Sequence, residues 1–194
     1  MKIVSLYLYV LFAFIILTAC STIPEISKKD IVDRDNLLLN YSFELGMYDR
    51  DLMPLGWFTL TDEPGIIKWD KISARTGNKS LKVRPEESTV EIISESFPIS
   101  PKNIYLINSY VRSLKSKQTS IKLAFMAFDK KGSKVNYYYK MFYPDSSWTE
   151  ISFRTGFLND HARYARVIII LPEKAGTDFW IDDVECFMAH NFAK

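Results

Sequence analysis

The chain has 194 residues, a quarter of them charged, with a formal net charge of +2. It holds no long basic run, which leaves nucleic acid without a footing. Aromatic residues make up 14% of it, against only 7 glycines and 8 prolines, so a packed core is expected rather than disorder.

The first element is apolar. Lys2 supplies a positive start, Ile3 to Ile16 carry no charge, and Leu17-Thr18-Ala19 lead into Cys20. A basic start, an apolar stretch and a small-residue exit make a signal peptide. With the cysteine at the exit, the segment resembles the lipobox of bacterial lipoproteins. That resemblance implies diacylglyceryl transfer to the Cys20 thiol and cleavage before it. An uncleaved anchor is the alternative, since Ile3 to Ala19 reach the short end of the spanning range. Both readings place the rest of the chain outside the cytoplasm, in a bacterial envelope. Ser21, not being aspartate, is compatible with passage to the outer membrane or cell surface.

Residues 20–35 are polar and unpatterned and read as a tether, spanning roughly 20 Å as a flexible chain. The remainder, 36–190, suits one domain. Cys186 is the other thiol. With Cys20 lipidated it has no intramolecular partner, and it packs as a small hydrophobe.

From Asn36 the chain gives short runs of β-formers broken by turn residues. Predicted strands cover 37–39, 56–60, 66–69, 80–84, 89–94, 104–112, 121–128, 135–142, 149–155, 163–171 and 178–187. Leu81 and Val83 alternate with Lys82 and Arg84, and Ile151 and Phe153 with Glu150, Ser152 and Arg154, so one face is buried and one wet. Runs 121–128 and 167–171 are apolar on both faces and belong at sheet centres. Glu63-Pro64-Gly65, Thr76-Gly77-Asn78 and Asp129-Lys130-Lys131-Gly132 are turn signals. Outside the leader no window shows a helical period. The fold class is therefore all-β: an antiparallel jelly-roll β-sandwich behind an apolar signal helix.

Local motifs fall in a recognisable order. Asn36, Asn40, Phe43 and Glu44 form N-x-x-x-N-x-x-F-E, and Gly56-Trp57 follow. Ala74, Thr76-Gly77, Ser80-Leu81 and Val83 form A-x-T-G-x-x-S-L-x-V. Tyr105 to Arg112, Phe128-Asp129-x-x-Gly132, Trp148 to Phe153 and Trp180-Ile181-Asp182-Asp183-Val184 complete the series. Together they resemble carbohydrate-binding modules of the family 4, 9 and 22 type, over about Asn36 to Phe187. The resemblance implies a galactose-binding-domain-like jelly roll whose concave sheet stacks aromatics on sugar rings. It also implies one structural Ca²⁺, with Glu44 and Asp182 as side-chain ligands and carbonyls near Thr76 to Lys79 completing the oxygen set. A strand with Trp180, Asp182, Val184 and Cys186 on its inward face puts Asp182 at the core edge. The alternative is that Asp182 caps backbone N–H groups or pairs with Arg75, with no metal.

Sugar recognition needs flat aromatics for C–H faces and amides or charges for hydroxyls. Asn108, Tyr110 and Arg112 alternate with Tyr105, Ile107, Ser109 and Val111, which places them on the open face. Tyr138, sharing a side with Asn136 and Lys140, is a further candidate, as is Trp69 near a loop.

Catalytic signatures are absent from the sequence: no G-x-S-x-G, H-E-x-x-H, P-loop or Gly-rich dinucleotide turn occurs, and the two histidines are His161 and His190. Asp182 and Asp183 are adjacent in a strand and expected to face opposite ways, which rules out a glycosidase pair. The expected function is non-catalytic binding of poly- or oligosaccharide by a lipid-anchored envelope protein. The competing expectation is an envelope structural or protein-interaction module with the same fold.

Overall fold

The computed structural model describes residues 28–31, 35–46, 53–60, 67–115 and 118–192. The signal segment, Cys20 and most of the tether lie outside the described residues. A short 3-10 turn spans Lys28–Ile31.

The strands are β1 (Trp57–Thr59), β2 (Ile67–Asp70), β3 (Ser80–Val83), β4 (Val90–Ser94), β5 (Phe97–Pro98), β6 (Asn103–Ser113), β7 (Ile121–Phe128), β8 (Lys134–Phe142), β9 (Thr149–Arg154), β10 (Tyr164–Leu171) and β11 (Phe179–Asn191). They form two antiparallel sheets packed as a jelly-roll sandwich. The six-stranded sheet runs β1-β4-β10-β7-β8, with β5 on β10, and the five-stranded sheet runs β2-β3-β11-β6-β9. As their two-faced apolarity requires, β7 and β10 sit inside their sheet. The core between the sheets holds Leu81, Val83, Tyr105, Ile107, Val111, Phe125, Val167, Ile169, Phe179 and Ile181 among others. Tyr105 stacks on Phe125 with ring centroids 5.6 Å apart.

The opening motif is structural. No strand forms over 37–39. Instead the Asn36 side-chain oxygen accepts hydrogen bonds from Leu38 N (3.1 Å) and Cys186 N (3.0 Å), which turns the chain there. Asn40 ties the following loop by accepting from Leu45 N and donating to Leu45 O and Leu55 O. Phe43 is fully buried, its ring 5.1 Å from that of Trp57.

The expected facing of β11 needs correction. Phe179 and Ile181 point into the core, so Trp180 and Asp182 point outward. Val184 and Cys186 are nevertheless in the core. A β-bulge between Asp182 and Glu185, with Asp183 at φ 47°, shifts the parity by one residue. A strict alternation would have carried a carboxylate or two apolar residues to the wrong side. Burial pushes the Cys186 thiol well above its ordinary pKa, which keeps it protonated and inert.

Candidate functional site

The outer face of the five-stranded sheet holds most of the sequence-named residues, and it is covered by its own side chains. Lys68, Lys82, Trp180 and Arg112 lie in one cross-strand row, and Trp148 extends it. The Lys82 ammonium is 4.9 Å and the Arg112 guanidinium 4.2 Å from the Trp180 ring, and Arg112 is 5.6 Å from the Trp148 ring. The Trp180 indole N–H donates to Asp70 (2.6 Å). Lys82 and Arg84 both pair with Asp178. Burial works against ionisation of Asp178, but hydrogen bonds from Arg84 and Lys82 hold its carboxyl below the usual range.

Tyr110 carries the Arg75 guanidinium 3.3 Å from its ring centre, and Arg75 is itself held by Asp183 at 2.6 Å. Asn108 is fully buried and donates to Glu185 (2.9 Å). Trp69, paired with Leu81, turns to the core side of an edge strand; it donates to Phe43 O (2.7 Å) and packs on Gly46. Tyr138 is paired with Phe125 and so faces the core side of β8, where its hydroxyl donates to Phe157 O (2.5 Å). These five side chains lie on no common open surface. Asn108, Tyr110 and Arg112 do project outward from β6, as their alternation requires, but the sheet they stand on has closed over them.

Glu44 and Asp182 meet the same turn from its two ends. Glu44 Oε1 accepts from Asn78 N (2.8 Å) and Lys79 N (2.9 Å). Asp182 accepts from Arg75 N (2.8 Å), Thr76 N (3.2 Å) and Asp183 N (2.8 Å). Gly77 has φ +61°, and a Cβ there would strike the Glu44 carboxylate. The bulge lets Asp183 reach this turn too, accepting from Thr76 Oγ1 (2.6 Å) and Arg75. The two adjacent aspartates therefore serve one loop, not opposite faces. Asp182 has no exposed surface, and burial pushes its pKa up to about 7, with Asp183 adding to the rise. Its partners are backbone N–H groups, with no cationic side chain among its hydrogen bonds.

The outer face of the six-stranded sheet differs. Cross-strand pairing puts Tyr139, Ala124, Ile168, Ile93 and Phe58 in one row, from β8 to β1. Four inter-strand steps make that row roughly 19 Å long. Ala124, Ile168 and Ile93 form a small apolar cluster separate from the main core, flanked by Phe58, Met126 and Ile170. Beside it lies a hollow of about 590 Å³ lined by residues that include Leu60, Glu91, Met126, Phe128, Tyr164 and Arg166. Tyr137 and Tyr139 stand one strand away on the same face, 36% and 54% exposed, with ring centroids 5.5 Å apart. Burial raises the Tyr137 phenol pKa, and the nearby Glu91 carboxylate and Tyr139 raise it further. Ala124, Ile168 and Ile93 are themselves buried, so what this face presents to solvent is a trough: the hollow, with Ile93 and Ile168 in its lining, the carboxylate of Glu91 and, one strand away, two exposed rings.

Sequence reasoning missed Tyr137, Tyr139, Tyr164, Glu91 and Arg166. Alternation was available in β8, but Tyr137-Tyr138-Tyr139 put aromatic side chains on both faces. A usable signal was the pair Lys122 and Arg166, polar residues placed outward on two strands otherwise apolar throughout.

No protein-family model and no curated protein matches the sequence. Solved structures do match the fold. A family 61 carbohydrate-binding module in complex with β-1,4-galactotriose aligns over 79% of this chain and 99% of its own, at 18% identity and TM-score 0.54. The fold is that of carbohydrate-binding modules. A family 16 module aligns over 78% of this chain and 99% of its own, at 16% identity and TM-score 0.57. A family 22 xylan-binding domain from Paenibacillus barcinonensis aligns over 80% and 96%, at 16% identity and TM-score 0.53.

Proposed function

We propose that this chain is a non-catalytic glycan-binding module, tethered to a bacterial envelope through lipid on Cys20. Poly- or oligosaccharide lies along the outer face of the six-stranded sheet, with C–H faces on Tyr137 and Tyr139 and hydroxyls turned to Glu91 and Arg166. The observation that carries this reading is the trough itself: a hollow of about 590 Å³ beside an apolar row and exposed tyrosines. On the opposite face the cations over Tyr110 and Trp180 include Arg75 and Lys82, which are fixed by the buried carboxylates of Asp183 and Asp178. The folds that match belong to modules whose solved forms include a galactotriose complex and a xylan-binding domain, which supports a carbohydrate ligand. The apolar leader ending at Cys20 supports the lipid tether. A glycan array with the full chain tests the reading. Retention of a glycan that Tyr139→Ala weakens supports it; no retained glycan overturns it in favour of a structural or protein-docking module.

One structural Ca²⁺ belongs to the same proposal, held by Glu44 and Asp182 with carbonyls of the intervening turn. The fit rests on Asp182. Three backbone N–H donors offset part of the cost of burying this carboxylate, burial still holds its pKa up at about 7, and a bound dication would keep it ionised. The expected outcome is a calorimetric melting temperature lowered by chelator and restored by added calcium. An unchanged temperature removes the ion from the account.

A further inference from the structure

The trough carries more positive charge than a neutral sugar needs. Three cations project from its strands, and each sits over a ring. Lys122 Nζ is 4.9 Å from the Tyr139 centroid, Lys134 Nζ is 5.8 Å from Tyr137, and the Arg166 guanidinium is 4.7 Å from Phe58. None of the three has a carboxylate partner among the described residues. Lys130 and Lys131 add to the rim of the hollow from the β7–β8 turn. Two carboxylates face them there. Asp129 is absorbed by its own turn, accepting from Lys131 N (2.8 Å) and Ser133 N (2.9 Å). Glu91 remains on β4.

We propose that the ligand of this trough is an anionic glycan, whose sugar units carry a carboxylate or a sulfate ester. This rests on the trough being the glycan site. A cation resting on an exposed ring is held more weakly than one in a charge-assisted hydrogen bond to carboxylate or sulfate. An anionic sugar therefore draws the ammonium or guanidinium off the ring and onto its own acid group. The freed aromatic face then takes the C–H face of the same or the next sugar. Each of Tyr139, Tyr137 and Phe58 is paired with its own cation, so recognition repeats along the sheet as charge and stacking together. A neutral glycan offers the same cations only hydroxyls, which hold them more weakly than a carboxylate or sulfate does.

Titration of the full chain with polygalacturonate and with a sulfated galactan, each beside its carboxyl-reduced or desulfated counterpart, tests the proposal. The two anionic polymers distinguish carboxylate from sulfate as the recognised group. At low salt the preferred anionic polymer should bind at least about tenfold tighter than its neutral counterpart, about the worth of one charge-assisted hydrogen bond. The gap should close in about 1 M NaCl, where the screening length is about 3 Å. Lys122→Gln and Lys134→Gln should each remove most of the preference while leaving binding of the neutral polymer within about twofold. Lys68→Gln, on the other sheet, removes the same charge and should change neither. Equal or tighter binding of the neutral polymers, or an anionic preference that Lys122→Gln and Lys134→Gln leave intact, overturns the proposal and leaves the trough reading standing. Failure to bind either anionic polymer also overturns it; if the glycan array finds no ligand as well, the trough reading falls with it.

Discussion

The two outer faces of the sandwich use the same side chains for opposite ends. Each has a cross-strand row running edge to edge: Lys68, Lys82, Trp180, Arg112 and Trp148 on one sheet, Tyr139, Ala124, Ile168, Ile93 and Phe58 on the other. On both, cations lie over rings. On the five-stranded sheet Arg75 and Lys82 are anchored at their far ends, by Asp183 and Asp178, both carboxylates nearly without exposed surface, while Arg112, over Trp180 and Trp148, has no such acid among the described residues. On the six-stranded sheet Lys122, Lys134 and Arg166 have rings and no acids among the described residues. A cation–aromatic pair clamped by a buried acid, or set on a buried ring as Arg112 is on Trp180, is part of the fold; a pair without the acid on an exposed ring, as at Tyr137 and Tyr139, is available to a ligand.

Removing one arginine from each face gives the largest expected contrast. Arg75→Ala leaves Asp183 buried without its counter-charge. Because the Arg75 side chain is 31% exposed, the expected loss falls below that of a fully buried pair, at about 2 kcal/mol in urea denaturation. Arg166→Gln should stay within about 0.5 kcal/mol of the parent, since no acid depends on it. Equal losses would break the comparison.

The tyrosines sharpen it on the binding side. Tyr139→Ala is expected to weaken glycan binding about tenfold, or about 1.4 kcal/mol, the scale of one aromatic stacking contact. Tyr110→Ala, beneath Arg75, should leave affinity unchanged. Titration of both variants against a glycan retained by the parent decides the matter, and the reverse pattern would move the site to the five-stranded sheet.

Acid gives the smallest effect. The Asp178 pKa is lowered in the fold, so its contribution is complete above the ordinary value of 3.8 and is lost as pH falls through the depressed value. Asp178→Asn should therefore flatten the stability curve below about pH 4. A curve as steep as that of the parent would show that Lys82 and Arg84 do not clamp this carboxylate.

The strands were largely legible, because alternation and two-faced apolar runs are direct consequences of burial. Strands β7 and β10 could be placed at sheet centres from Ile121 to Phe128 and Val167 to Leu171 alone. Facing was less legible. One bulged residue at Asp183 reverses the parity of Val184 to Met188, up to a second register shift before His190, and nothing local distinguishes Asp182-Asp183 in a bulge from the same pair in a straight strand. The site was hidden for a related reason. Outward residues of β6 and of β7 are equally outward, and whether a sheet face is open depends on what other segments fold across it. Arg75 comes to cover Tyr110 from 35 positions away in the chain. Tyr138 was separated from Tyr137 and Tyr139 only by which of two aromatic faces met the core.

The junction between Asn36 and Cys186 has a mechanical consequence. Asn36 Oδ1 and Leu37 N are both hydrogen-bonded to the backbone of Cys186 on β11, beyond the Phe179–Ile181 stretch that pairs with β3 and opposite Ile107 of β6. A pull arriving from the N-terminal side of Asn36 is delivered to β11, which β6 backs from Phe179 to Asn191. Load entering there passes first into β11, at 13 residues the longest of the described strands.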